Sequence, residues 1–296
     1  MIKYKKIIIK DWMINMVRFG PSGNPDAFYA EGFKNSEQMP QWLSGLGLKA
    51  YEYSCARGVR VSDEKAEIIG NEAKKYDISL SIHSPYYINL ATDDEEKRQK
   101  SIDYIIDSMR VAKIMGADRV VVHSGSCAKM PRETAMEYAK KTLTMALDEA
   151  VKKNLEMVHI CPETMGKINQ LGNLEEVMEL CLLDKSLIPT IDFGHLHTRG
   201  LGCLNTKEDF ENVVDTMENM LGKERAKVFH VHFSRIEFTA GGEKKHWTYD
   251  DVQYGPSFDY LAQLIHEREL QPRIICESLG TMAKDAITMK NIYLGV

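Results

Sequence analysis

The chain has 296 residues, of which 44% are hydrophobic and 27% are charged, and its formal net charge is −5 at pH 7. This length suits one (β/α)8 barrel, and the composition is that of a globular protein with a full core. The negative charge argues against nucleic-acid binding through overall charge, so only a local basic patch could serve that purpose. Because no apolar run reaches the ~20 residues that span a bilayer, we expect no membrane association.

The first segment, residues 1–15, is basic and apolar, and its Ile7–Ile9 run is too short for the apolar region of a signal peptide. A strand-like phrase begins at Met16. We therefore expect an N-terminal extension over 1–15, or a start codon placed too early, and a catalytic barrel domain over 16–296.

From residue 16 onward, short β-rich segments alternate with amphipathic segments of helical period. The predicted strands are Val17–Phe19, Lys49–Tyr53, Ser79–His83, Arg119–His123, Met157–Cys161, Pro189–Asp192, Lys227–His232 and Arg273–Glu277. Apolar strands such as Val120–Val122 suit a parallel sheet that is buried on both faces. Eight strand–helix units without a Pro-, Gly- or Ser-rich linker predict one α/β domain, a TIM barrel.

The intervening helices carry recognisable end signals. Apolar residues recur with helical spacing over Thr206–Leu221, where Thr206 and Asp209 resemble a capping box and Gly222 is a stop signal. A second helix, which contains Ile102, is predicted to end at Gly116. A doubly wound Rossmann sheet is the alternative, but the first strand is not followed by a G-x-G-x-x-G turn.

The six cysteines are scattered and form no C-x-x-C pair, and several have apolar neighbours. Buried free thiols are typical of a reducing compartment, so we expect a cytoplasmic protein without a cysteine-rich zinc site.

Residue types that bind metals stand at the ends of six successive predicted strands. They are His83, His123, Glu163, Asp192, His232 and Glu277, at intervals of 40, 40, 29, 40 and 45 residues. Since about one βα unit separates neighbours, a closed barrel would bring them into a ring at its C-terminal mouth. Chance would fill all six ends in roughly one sequence in a hundred. A metal site is therefore favoured over six separate caps or ion pairs.

Imidazole and carboxylate ligands without thiolates favour Zn²⁺, Mn²⁺ or Fe²⁺ over Mg²⁺ and Ca²⁺. His195 and His246 are further candidate ligands, on the segments after the sixth and seventh strands. Glu163 could bridge two ions and so hold a closely spaced cluster.

At these residues the sequence resembles the endonuclease IV family of AP endonucleases, within the wider xylose-isomerase-like TIM barrels. The stretch His83–Leu90 has the family's His, the Tyr three positions later and the Ile-Asn-Leu that follows. The other similar motifs are His123–Ser126, Glu163–Gly166, Asp192–His195 and Glu277-Ser278. The resemblance extends from the second to the eighth strand and so covers most of the chain.

The resemblance implies a zinc-dependent hydrolase that cleaves the DNA phosphodiester 5′ to abasic sites in base-excision repair. His83, His123 and Glu163 would hold one ion. The second would be held by Glu163, Asp192, His232 and Glu277, and the third by His195 and His246. We therefore expect two or three zinc ions, with Mn²⁺ as an alternative, catalytic roles for Glu163 and Glu277, and action as a monomer on abasic DNA.

Two departures from the family pattern affect the third ion. Lys244 stands where the family has an Asp ligand, and Ser234-Arg235 replaces its Asn-Asp. A lysine ammonium cannot bind a cation and would repel it. The third site is therefore expected to be weak, rebuilt with Glu243, or absent.

DNA contacts are predicted at the barrel mouth. Tyr86 and Asn89 follow the third strand, and Arg57, Arg235 and Lys244 lie on predicted βα loops. Further loop cations are Arg60, Lys129, Arg132, Arg199 and Lys245. These charges could meet phosphates, or they could be solvated loop charges. Trp247 and Tyr254 could stack on bases or be buried under a long loop.

The alternative function is a divalent-metal sugar isomerase or epimerase. Glu163, Asp192, His232 and Glu277 also resemble the single-metal site of the wider family, where two glutamates transfer a proton. The loss of the Asp at residue 244 favours this alternative, but the four additional histidines favour the endonuclease. A non-catalytic binding protein is disfavoured because so many ligand residues are present.

Overall fold

The computed structural model describes residues 17–127 and 130–295, so the predicted extension over 1–15 and Lys129 lie outside the described residues. Its ten strands are β1 (Arg18–Pro21), β2 (Ala50–Ser54), β3 (Ser79–His83), β4 (Arg119–His123), β5 (His159–Glu163), β6 (Thr190–Asp192), β7 (His230–Phe233), β8 (Arg235–Thr239), β9 (Gly242–Trp247) and β10 (Arg273–Cys276). Eight of them form one parallel sheet in the order β1-β10-β7-β6-β5-β4-β3-β2. The other two, β8 and β9, form a separate antiparallel hairpin.

The parallel sheet curls until its two edge strands meet. The Lys49 N–H donates to the Phe19 carbonyl, and the Gly23 N–H donates to the Glu52 carbonyl. Gly20 lies at this junction, where a Cβ atom would come within 1.7 Å of the Ala50 carbonyl oxygen, so the close approach of β1 and β2 requires glycine. The predicted (β/α)8 barrel is confirmed.

Helices connect the strands on the outside of the barrel. They are α1 (Asp26–Ala30), α2 (Met39–Gly45), α3 (Asp63–Tyr76), α4 (Glu95–Met115), α5 (Arg132–Lys152), α6 (Leu174–Cys181), α7 (Phe193–Arg199), α8 (Lys207–Leu221), α9 (Lys223–Ala226), α10 (Asp259–Glu267) and α11 (Met282–Gly295). None of these helices combines the length and apolarity that a membrane crossing needs.

The local signals explain where two helices begin and end. Thr206 and Asp209 form the predicted capping box at the start of α8, and α4 ends at Gly116, which adopts a left-handed φ of 72°. The apolar face of α8, including Phe210, Val214 and Met217, is buried against the barrel. Amphipathic period and capping chemistry therefore agree with the tertiary structure here.

Two barrel strands start at least two residues later than predicted: β7 begins at His230 rather than Lys227, and β5 also begins later, with a shift that matters for the site. The sequence predicts a strand over Met157–Cys161, whereas β5 spans His159–Glu163. Pairing with β4 sets this register and places Glu163 opposite His123. Apolar period alone cannot define such a boundary, because the partner strand decides it. Glu163 is thus the last residue of a buried strand.

Candidate metal centre

All eight predicted metal ligands lie at the C-terminal mouth of the barrel. Five of them end strands or directly follow one: His83, His123, Glu163, Asp192 and Glu277. His232 is the next-to-last residue of β7. His195 lies in the first turn of α7, and His246 lies in β9 of the hairpin. Parallel strand ends meet at one rim, so residues far apart in the chain become neighbours there.

The first group of ligands surrounds one oxygen of Glu163. Its Oε2 lies 3.5 Å from Nε2 of His83 and 3.3 Å from Nε2 of His123. Glu163 is buried, and among the described residues this oxygen has no hydrogen-bond partner. A buried carboxylate oxygen that faces two imidazole nitrogens is an arrangement that a divalent cation would satisfy.

The second group uses the other oxygen of Glu163. Its Oε1 lies 3.0 Å from Nδ1 of His232, and the same nitrogen is 3.5 Å from Oε1 of Glu277. Asp192 completes this group, in which one ligand atom from each residue lies within 4.8 Å of the others. Glu163 therefore belongs to two neighbouring groups, as a bridging carboxylate would.

The two carboxylate oxygens of Asp192 have different roles, one in capping a helix and one in facing the ligand groups. Its Oδ1 accepts a 2.7 Å hydrogen bond from the backbone N–H of His195 and so caps α7. Its Oδ2 lies 3.3 Å from Nδ1 of His195 and has no hydrogen-bond partner within the described ranges. The cap holds Asp192 in place and leaves one oxygen turned toward the ligands.

A third group forms between α7 and the hairpin. Glu243 Oε2 lies 3.5 Å from Nε2 of His195, and Glu243 Oε1 lies 3.6 Å from Nε2 of His246. Lys244 is exposed, and its Nζ contacts Glu237 Oε1 at 2.6 Å. Of the three outcomes expected for this site, the geometry matches the one rebuilt with Glu243.

Backbone contacts position Glu243. Its N–H donates to the Gly166 carbonyl at 3.1 Å. The preceding Gly242 has φ of 92°, and a Cβ atom there would come within 2.2 Å of the same carbonyl oxygen. The hairpin therefore needs glycine at 242 in order to bring Glu243 against His195.

Carboxylates and imidazoles of the site lie close enough to shift one another's pKa values. Burial raises the pKa of Glu163, but His232, His123 and His83 outweigh it and hold the pKa well below its ordinary value. Burial lowers the pKa of His83 and His195, yet neighbouring carboxylates raise both to about 9. Burial, together with Glu277 and Glu163, raises the pKa of Asp192. Opposed charges packed so tightly are characteristic of functional sites.

The residues present fit a bound transition metal. Ligands at about 2.0–2.1 Å from a tetrahedral ion lie roughly 3.3 Å apart, which resembles the contacts of 3.0–3.6 Å within these groups. Nitrogen and carboxylate donors without thiolates suit Zn²⁺ or Mn²⁺.

Sequence reasoning missed two residues beneath the ring, Glu52 of β2 and His230 of β7. Both are fully buried, and Nε2 of His230 lies 3.0 Å from Oε2 of Glu52. Burial lowers the pKa of His230 to about 3, although Glu52 opposes the shift. Two features of the sequence could have indicated these residues. His230 is two positions before His232 and so shares a strand face with it, and Glu52 is a carboxylate inside an apolar strand, which is unusual.

The predicted DNA contacts have different environments. Tyr86 is exposed over 55% of its surface, and Arg57 is also exposed. Asn89 instead joins two loops, since its Oδ1 accepts from the N–H groups of Ala91 and Ser126. Of these three predicted contacts, Tyr86 and Arg57 have the exposure that DNA contact requires.

Other predicted loop cations form hydrogen bonds with backbone carbonyls of the protein. Arg235 is buried, donates to the carbonyls of Tyr249 and Tyr254, and stacks on the Tyr249 ring, so its guanidinium is not available to a DNA phosphate in this structure. Arg199 donates to the carbonyls of Met165, Lys167, Ile168 and Gln170, and Arg132 donates to the last two of these.

The aromatic residues of the hairpin region form a stack. The Trp247 and Tyr254 rings lie 5.3 Å apart at an interplanar angle of 13°, and Lys245 Nζ lies 3.7 Å from the Trp247 ring centre. Both rings are partly buried. They therefore pack on each other at the end of the β8–β9 hairpin that carries His246.

A family model described as a xylose isomerase-like TIM barrel matches residues 40–290. The chain belongs to this family. It is 31% identical over 280 residues to an uncharacterised protein of Methanocaldococcus jannaschii, a match that covers 94% of this chain and 97% of the relative. It is 28% identical over 217 residues to a protein of Staphylococcus carnosus named "Probable endonuclease 4", with 70% of this chain and 69% of that protein covered.

Solved structures of this family's fold include two kinds of enzyme. Endonuclease IV from Thermus thermophilus matches with a TM-score of 0.67 and 21% identity, over 94% of this chain and 99% of that one. A D-tagatose 3-epimerase-like protein matches with a TM-score of 0.66 and 21% identity, over 84% of this chain and 89% of that one. The resemblance to endonuclease IV seen in the sequence is confirmed, and the fold itself is shared with sugar epimerases.

Proposed function

We propose that this protein is a zinc-dependent endonuclease IV-like hydrolase that cleaves the DNA phosphodiester 5′ to abasic sites. The observation that carries the proposal is the presence of ligands for more than one ion. Beyond Glu163, Asp192, His232 and Glu277, further groups at the mouth include His83 and His123 with Glu163, and His195, Glu243 and His246. A site with a single ion would leave these additional histidines without a metal.

Two glutamates, Glu163 and Glu277, have distinct positions relative to the proposed ions. Glu163 offers one oxygen to each of two groups and would keep two ions close together. Glu277 lies at the rim with 16% of its side chain exposed and lines a cleft of about 430 Å³ together with Lys245 and His246. Bound zinc would supply Lewis-acid polarisation of the phosphate and an activated water. Glu163 and Glu277 are the proposed catalytic residues.

Exposed residues beside the mouth fit a DNA backbone. Tyr86 and Tyr87 are an exposed edge-to-face pair with ring centres 5.8 Å apart, and a Cβ atom on Gly58 would lie 2.9 Å from the Tyr87 hydroxyl. Arg57 and Arg60 flank that glycine and are also exposed. Aromatic rings with adjacent cations suit unstacked nucleotides and phosphates, despite the net negative charge.

The names of relatives support the same proposal. A relative that aligns with 70% of the chain is named "Probable endonuclease 4", and the structurally similar Thermus protein is endonuclease IV. All residues of the three ligand groups come from one chain, so the proposed site needs no second subunit.

A sugar isomerase or epimerase is the second candidate. Glu163, Asp192, His232 and Glu277 form a complete one-ion group by themselves, and a cleft of about 430 Å³ beside Glu277 could hold a small sugar. The structural match to a D-tagatose 3-epimerase-like protein supports this candidate. The remaining histidines of the ring and Glu243 would then have no assigned role.

Metal analysis and a cleavage assay on the same purified protein test the proposal. We expect two or three zinc ions per chain and cleavage 5′ to the lesion in a duplex with one abasic site, with the undamaged duplex as control. One ion per chain, no cleavage and conversion of a ketose in a substrate panel would replace the endonuclease proposal with the epimerase.

A further inference from the structure

Glu52 lies inside the barrel directly beneath the second ligand group. Its Oε1 is 2.9 Å from Nε2 of His232, the ring nitrogen that faces away from Glu163. The opposite nitrogen of the same ring, Nδ1, is 3.0 Å from Glu163 Oε1. The His232 ring is fully buried between these two carboxylates, so one nitrogen faces the proposed ions and the other faces Glu52.

The surroundings of Glu52 hold it in one orientation. The Ser81 hydroxyl donates to Oε2 at 2.9 Å, and Nε2 of His230 contacts the same oxygen at 3.0 Å. Nδ1 of His230 lies 3.5 Å from Nη1 of Arg119, which can only donate, so Nε2 of His230 carries the proton. Oε2 is occupied by two donors, whereas Oε1 of Glu52 and Nε2 of His232 have no hydrogen-bond partner among the described residues in the present ring orientation. Their 2.9 Å contact leaves each of these two buried atoms as a partner for the other.

A separate ion bound by Glu52, His230 and His232 is the competing explanation, because their ligand atoms lie within 4.8 Å of one another. Oε2 of Glu52 is already satisfied without an ion, because it has hydrogen-bond contacts with both the Ser81 hydroxyl and Nε2 of His230. The Arg119 guanidinium beside His230 would also repel a cation there. Protons account for these contacts better than an ion does.

We infer that Glu52 is a positioning residue: it accepts a hydrogen bond from Nε2–H of His232 and thereby directs Nδ1 of that ring toward the ion that Glu163, Asp192 and Glu277 would hold. The inference rests on the proposed metal binding. A carboxylate on the far nitrogen of a metal-binding histidine sets its tautomer, fixes its ring and increases its basicity. Here the carboxylate comes from β2, a strand that contributes nothing to the three ligand groups.

The zinc-loaded wild-type protein provides the first test. With 15N-labelled histidine, NMR should show His232 with a proton on Nε2 and zinc on Nδ1. A spectrum with zinc on Nε2 of His232 would overturn the inference. This measurement needs no variant, so it does not depend on whether a substituted barrel folds.

Glu52→Gln is the second test, and Asp285→Asn is its matched control. Asp285 is also buried, and it accepts hydrogen bonds from Tyr249 and Thr281 rather than from a ligand residue. Zinc affinity, measured by competition with a chelator, should fall about 10- to 100-fold for one ion in Glu52→Gln and stay unchanged in the control. The Nε2–H signal of His232 should also be lost or broadened only in Glu52→Gln.

Unchanged zinc affinity together with an unchanged His232 spectrum in folded Glu52→Gln would show that Glu52 only fills the barrel interior. These outcomes are distinct from failure of the proposed function. If the wild-type protein binds zinc but does not cleave abasic DNA, the endonuclease proposal fails and the role of Glu52 is still measured. If the wild-type protein binds no divalent metal, both proposals fail.

Discussion

The carboxylate of Glu243 lies 3.5 Å from Nε2 of His195, although the resembled family has its acidic ligand at the position of Lys244. The hairpin register explains the exchange. Lys245 pairs with Glu237 and Glu243 pairs with Phe238, so Lys244 is the additional residue of a β-bulge. A bulge re-aims the side chains around it, and here Glu243 and His246 face the same group while Lys244 turns to Glu237.

Glu243→Gln should therefore remove about one zinc ion per chain, because an amide is a much weaker ligand than a carboxylate. Lys244→Gln, a change at the adjacent exposed residue, should leave the zinc content unchanged. Elemental analysis of both purified variants after dialysis checks the prediction. A lower zinc content in the Lys244 variant with a full content in the Glu243 variant would reverse the assignment.

Glu163→Gln should reduce metal content and activity together, since the two oxygens of Glu163 serve two groups. We expect the loss of cleavage rate to be at least about 100-fold, above the 10- to 100-fold typical of residues that only support a ligand. Asp285→Asn, a second buried carboxylate, is the matched control. If Glu163→Gln keeps its full metal content and rate, Glu163 does not bridge.

Tyr86→Ala should weaken binding to abasic DNA by about 1–3 kcal/mol if its exposed ring stacks on a base. Zinc content should not change, because Tyr86 belongs to none of the ligand groups. Met157→Ala, another exposed apolar residue located before the start of β5, serves as the control. Titration of labelled duplexes measures the effect, and equal affinities of the two variants would remove Tyr86 from the interface.

Arg57→Ala should lower DNA affinity and reduce the slope of log K against log salt concentration by about one, since one phosphate contact would be lost. Arg110→Ala is the control: Arg110 is an exposed helix residue whose Nη1 lies 2.6 Å from Asp63 Oδ1. The measurement is a set of binding titrations at several salt concentrations. An unchanged slope for Arg57→Ala would mean that this charge is only solvated.

Protonation of Glu176 at low pH should destabilise the loop over residues 165–172. Burial raises the pKa of Glu176, but Arg132 and the N–H groups of Asn173 and Gly172 hold it below its ordinary value of 4.5. The stabilisation is therefore complete above that ordinary pKa and is lost as the pH falls through the lowered one. Between about pH 5 and about pH 3, Tm should fall more in the wild type than in Glu176→Gln. Parallel losses in both proteins would exclude this contribution.

The barrel and most of the ligand ring follow from residue pattern alone. Eight apolar strands with helices between them can bury both faces of a parallel sheet in few ways. Once those strands close, residues that end them, such as His83, His123 and Asp192, must meet at one mouth. Residue type and spacing were sufficient for this prediction because it depends only on strand period and the parallel arrangement.

Contacts between segments that are distant in the chain determine which charged side chains face the site. Because of the bulge at Lys244, Glu243 rather than Lys244 faces the ligand group, and β2 places Glu52 on the far side of the His232 ring. Arg235 turned to backbone carbonyls that are 14 and 19 residues away in the chain. The direction of a side chain depends on strand register and on the partners it meets, and local sequence pattern specifies neither of them.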